Sequence, residues 1–136
     1  MNEWSDSELS HADTGIDAIA IAPYFGYYIG LPKNEDIVEG WTKEPDGGVD
    51  KLFQELTEGG LLENGSEGGA MEKAYENISN YAEIADEEGL DLLAYEGGQH
   101  LVGVGGVENN EAITELLISA NRGPRMAPIY GKYLNE

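Results

Sequence analysis

Residues 90–106 read LDLLAYEGGQHLVGVGG, a stretch that joins the most strand-like run of the chain to its most unusual carboxylate. Leu90, Leu92, Leu93, Ala94 and Tyr95 form a short, nearly all-apolar run, the pattern of a strand buried on both faces of a parallel sheet. The run stops at Glu96. Gly97 and Gly98 follow, so the backbone is free to turn sharply and to approach a ligand closely, with Glu96 left at the carboxyl end of the strand. Ligands of α/β sheets and barrels bind at that end.

Towards the N-terminus, residues 16–22, IDAIAIA, make a second apolar run of strand length, closed by Pro23. Residues 24–48 then read as one long loop rich in Gly and Pro, with five aromatics at Tyr24, Phe25, Tyr27, Tyr28 and Trp41. Loops of that length in compact domains are often functional. Val49, Leu52, Phe53 and Leu56 fall at i, i+3, i+4 and i+7, which predicts a short amphipathic helix ended by Gly59 and Gly60. Residues 61–69 are a glycine-rich, acidic connection. Over residues 70–88, the positions Met71, Ala74, Tyr75, Ile78, Tyr81, Ala82 and Ala85 keep one apolar stripe, and Gly89 sits where a helix C-cap belongs. The order strand, helix, strand predicts a parallel crossover, which brings the ends of both strands, and so Tyr24 and Glu96, to one edge of the sheet.

On the C-terminal side, Asn110 is placed to cap a helix with Glu111 in its first turn and a stripe at Ile113, Leu116, Leu117 and Ala120. Residues 121–124 break it. Met126, Ile129, Tyr130, Tyr133 and Leu134 then repeat the helical spacing.

A length of 136 residues bounds the chain to one domain or a piece of one. With 27 acidic against 7 basic side chains, the net charge of −20 argues against nucleic acid or an anionic membrane surface as a partner. Such a surface favours solubility. There is no cysteine, so disulfides and thiolate metal sites are excluded. Residues 1–14 are polar and acidic, unlike a signal peptide, and residues 1–15 as a whole read as an irregular lead-in with Trp4 tucked against the body.

Four amphipathic helices thus accompany two strands, each of the kind that needs a neighbour on either side. The expectation is that residues 16–136 are the C-terminal segment of a larger α/β barrel, whose missing half, or self-association, covers the open sheet edges.

At HADTGIDAIAIAPYFG (residues 11–26), DLLAYEGGQHLVG (residues 91–103) and NRGPRM (residues 121–126), the chain resembles a family of (β/α)8-barrel proteins related to glycoside hydrolases, often labelled cellulose-binding. The resemblance implies a partial TIM barrel in which residues 16–22 look like the sixth strand, residues 90–96 like the seventh, and residues 110–134 like the helices leading to the eighth. In the wider clan of retaining glycosidases, a glutamate ending the seventh strand is the nucleophile and a Tyr or His near the end of the sixth orients it. Carried over, Glu96 matches the nucleophile and Tyr24 the orienting residue, acting on β-linked polysaccharide without a cofactor. The resemblance also points to an extracellular setting. The acid/base glutamate of the fourth strand has no counterpart, so the isolated chain is expected to be inactive.

Each candidate has a plain structural alternative. Glu96 could equally accept backbone N–H groups at the strand end, and Tyr24 could pack the base of the loop. His100 and Gln99 fit sugar hydroxyls or simple loop hydrogen bonds. Tyr27, Tyr28 and Trp41 could stack on sugar rings, as a non-catalytic carbohydrate-binding module would require, or form the loop's own small cluster. Gly97 and Gly98 prevent the helix that would align Glu96 with His100 as a zinc pair. The acidic patches at Glu35 and Asp36 and at residues 86–88 miss the calcium-loop pattern, and residues 103–106, GVGG, are no phosphate loop. Arg122 and Arg125 read as structural cations at a helix junction.

Overall fold

The computed structural model describes residues 15–135. The lead-in with Trp4 therefore lies outside the described residues, apart from Gly15. Among the described residues the fold is mixed α/β, with four short strands, β1 (Ala18–Ile21), β2 (Tyr24–Phe25), β3 (Asp91–Ala94) and β4 (Gly98–Gln99). Five α-helices accompany them: α1 (Glu35–Trp41), α2 (Val49–Thr57), α3 (Gly69–Glu88), α4 (Glu111–Arg122) and α5 (Met126–Tyr133). No closed barrel is formed by these elements.

The chain divides into two compact units. The smaller comprises the described residues up to Pro23 with Tyr75–Gly97, and the larger comprises Tyr24–Ala74 with the described residues from Gly98 on.

In the smaller unit β1 and β3 pair in parallel, with Ala18 opposite Asp91 and Ile21 opposite Ala94. This is the co-directional arrangement that the strand, helix, strand order predicts. The expected burial on both faces is corrected, however. Leu93 is 56% exposed and Tyr95 68%, and the remaining residues of the pair are at best half-buried. The physical reason is that, among the described residues, the pair has little contact with helix α3, so its faces lack the cover that buries a parallel strand on both sides. Helix α3 ends as its sequence dictates, at Gly89 with φ +67°, and the Leu90 amide bonds back to the Ala85 carbonyl at 2.8 Å.

The larger unit has a conventional helical core. Leu52, Phe53 and Leu56 of α2 are buried, as are Ile113, Leu116, Leu117 and Ala120 of α4, and α4 touches α1, α2 and α5. Full burial of each such aliphatic side chain contributes roughly 1.5–3 kcal/mol. Asn110 caps α4, its Oδ1 accepting from the Ile113 amide at 3.3 Å, while its Nδ2 donates to Glu35 and Glu39 of α1 at 3.2 and 3.0 Å. Asp46 serves α2 in the same way through the Asp50 and Gly48 amides, and these bonds hold its carboxyl below the usual range.

The expected loop over residues 24–48 is corrected, since it contains β2, two turns of 3-10 helix at Tyr27–Gly30 and Pro32–Asn34, and α1. Gly30 meets the segment after β4 so closely that an added Cβ would lie 1.9 Å from the Val102 carbonyl oxygen. The most unusual group here is Glu55 of α2, a carboxylate with 0% exposure. Tyr28 donates its hydroxyl to Oε1 at 2.7 Å, and the Leu61 amide donates to Oε2 at 2.8 Å. Burial, followed by the bond to Glu55 and its charge, pushes the Tyr28 phenol far above its ordinary value of 10.0.

Tyr28→Phe removes one of the two donors and is expected to destabilise the chain by about 1–3 kcal/mol in urea unfolding at neutral pH. Because the folded state holds the phenol proton more tightly than the unfolded chain, that contribution is complete below pH 10.0 and is lost as pH rises past it. The alkaline fall in stability should accordingly be shallower in Tyr28→Phe than in the unaltered protein.

Candidate functional site

The residues nominated by sequence fall into both units, and each unit is taken by itself. In the smaller, β3 ends at Ala94, and the Tyr95 amide still bonds to the Ile21 carbonyl at 3.1 Å, so Glu96 follows directly on the carboxyl end of the parallel pair. Glu96 is exposed.

In the larger unit β2 pairs in parallel with β4, Tyr24 opposite Gly98 and Phe25 opposite Gln99, and the His100 amide extends the ladder to the Phe25 carbonyl at 2.8 Å. This brings two nominated residues together. The rings of Tyr24 and His100 meet edge to face with centroids 5.5 Å apart. His100 Nδ1 is buried and makes no hydrogen bond within the described residues, so the imidazole has a nitrogen uncommitted by the fold. Gln99 is committed locally, its Oε1 accepting from the Leu101 amide at 2.6 Å.

The aromatic trio separates. Trp41 is 4% exposed and belongs to the core, and Tyr28 is buried on Glu55, so neither presents a ring face to solvent. Tyr27 alone of the three is open, at 56%. The loop's need for its own packed cluster explains Tyr28 and Trp41.

The glycine pair also has a partner within the protein. Gly98 is buried with φ +113°, and a Cβ there would lie 2.7 Å from the Tyr130 hydroxyl of α5. The Gly98 amide donates to the Tyr133 hydroxyl and the Gln99 amide to the Tyr130 hydroxyl, both at 3.2 Å. Phe25 completes the group, with its ring 6.0 Å from that of Tyr130 and 5.3 Å from that of Tyr133. Burial is the main reason that the Tyr133 phenol is raised above its ordinary value. Close approach at Gly98 is thus made by the chain's own tyrosines. Sequence reasoning assigned Tyr130 and Tyr133 to a helical stripe, and their hydroxyls anchoring the start of β4 left no signal in the spacing.

Gly98→Ala is expected to destabilise the chain by about 1–3 kcal/mol, from the strained φ and the collision with Tyr130. In a Tyr130→Phe background the nearest clashing atom is gone, so the cost of the alanine should shrink. Urea unfolding of the four chains of this cycle checks it, and strict additivity would count against the steric account.

No family model, curated protein or solved structure matches the chain.

Proposed function

We propose that the chain supplies the nucleophile-bearing part of a glycoside hydrolase-like (β/α)8 barrel acting on β-linked polysaccharide by a retaining mechanism, with Glu96 as the attacking carboxylate. The observation that carries this reading is the parallel, in-register pairing of β1 with β3, which stops immediately before an exposed glutamate at its carboxyl end. One further observation supports it. Among the described residues the strand pair has unpaired edges and exposed apolar side chains at Leu93 and Tyr95, as barrel staves have when their neighbours are not present.

A retaining hydrolysis needs two carboxyl groups about 5–5.5 Å apart. In the first step one carboxylate oxygen attacks the anomeric carbon while the second carboxyl group protonates the departing glycosidic oxygen. In the second, water activated by that same group cleaves the glycosyl ester and frees the first carboxylate. Glu96 takes the first role, and the acid/base group comes from strands that complete the barrel. The chain by itself is therefore inactive.

The test is hydrolysis of chromogenic aryl β-glycosides by the chain alone and by a barrel completed with the missing strands. The completed barrel should be active, and Glu96→Gln should lower its turnover by at least about a thousandfold. Glu96→Gly should regain turnover with azide, which attacks from the vacated side and yields a glycosyl azide of inverted configuration. Activity that survives Glu96→Gln removes the assignment.

A further inference from the structure

The larger unit contains a recess of about 350 Å³ between α2, the first turn of α3, and α5. Its wall is apolar, with Phe53 from α2, Met71 from α3, and Pro128 and Ile129 from α5. Its rim is cationic, because Arg125 at the start of α5 and Lys132 in its last turn both border it. Seven residues apart, they lie two helical turns from one another on the same face, a span of about 10 Å. Two of the seven basic residues in a chain of net charge −20 therefore border one apolar recess.

Arg125 is held ready there. Its guanidinium lies over the Phe53 ring, 4.4 Å from the centroid, which keeps the planar fork at the mouth of the recess. Its charged partner is Asp50, and both side chains are well exposed. An ion pair so open to water contributes little, so a ligand carboxylate can take the place of Asp50 at small cost.

We infer that this recess binds a small amphipathic monocarboxylate, with its apolar body against Phe53, Met71 and Ile129 and its carboxylate held by the Arg125 fork and drawn by Lys132. The volume is at the lower end of ligand sites, which run from about 300 to 1,000 Å³, and suits one ring on a short chain. A cation is repelled by the rim. A compact dianion such as phosphate leaves the apolar wall unfilled, and a neutral apolar molecule gives the two cations nothing to hold. The protein's overall negative field opposes any anion at a distance, but salt screens it beyond about 8 Å at physiological ionic strength, and contact with the apolar wall adds the rest. The site lies wholly within the larger unit and owes nothing to Glu96.

The experiment titrates the full chain with phenylbutyrate in buffer of physiological ionic strength, following amide signals by nuclear magnetic resonance. Saturable shifts centred on Phe53, Met71 and Ile129 are expected, with phenylbutanol and phenylbutylamine binding at least about twofold more weakly. Arg125→Gln should weaken phenylbutyrate by about two- to fivefold, and Lys132→Gln by less. The proposal is overturned if no saturable shift occurs at those residues, if the alcohol or the amine binds as tightly as the acid, or if Arg125→Gln leaves the affinity unchanged. Should Arg125→Gln unfold through loss of its stacking on Phe53, the comparison of the three probes on the unaltered protein decides the matter.

Discussion

A carboxylate sealed from water sets the terms for the larger unit. Leaving a carboxyl group without partners in the interior costs free energy, so Glu55 must find hydrogen bonds wherever α2 places it. The donors come from the Tyr28 hydroxyl and the Leu61 amide, which belong to segments on either side of α2 in the chain. One side chain therefore ties the turn after β2 and the connection before α3 to the same helix. Asn34 extends the network by donating to the Tyr28 carbonyl at 2.6 Å, and Gly65 leaves the room that Glu55 occupies, since a Cβ there would lie 2.3 Å from Oε1. A network in which every member is satisfied holds a unique geometry, and a partly satisfied one would be worse than none.

The two strand pairs are built on different terms. The β2 and β4 pair is only two residues long, yet it is braced by Phe25, Tyr130 and Tyr133 and by the hydroxyl bonds to the Gly98 and Gln99 amides. Among the described residues the β1 and β3 pair is longer but open at its edges, with large apolar side chains exposed. Backbone pairing fixes the register of both. What differs is side-chain cover, and strand pairs without it are marginal by themselves. A sheet in this condition leaves backbone groups and apolar side chains open to a further strand or another surface.

Charge is distributed as unevenly as cover. Among the described residues the acidic side chains are mostly exposed, while Glu35 and Glu39 serve the Asn110 cap and Asp46 the start of α2. The few cations are placed with more consequence. Arg125, which reads from sequence as a structural cation at a helix break, does pair with Asp50 and stack on Phe53, and the same geometry presents it to an apolar recess.

Periodicity by itself determined α2, α3, α4 and α5 and the two main strands, because an apolar stripe repeated over several turns, or a run closed by Pro or Gly, leaves few other ways to bury the same side chains. Caps were equally legible, as Gly89 and Asn110 show, since their signals are local. Helix α1 was not, because Val38 and Trp41 are its only buried residues and a stripe of two is no period. The two-residue strands β2 and β4 were too short to leave a pattern. Placement of Glu96 after a strand end followed from sequence order, whereas the Tyr24 and His100 contact required the pairing of β2 with β4. Only tertiary structure could pick Glu55 out of 27 acidic residues, since burial of a carboxylate depends on donors far along the chain, and no local spacing records where they will meet.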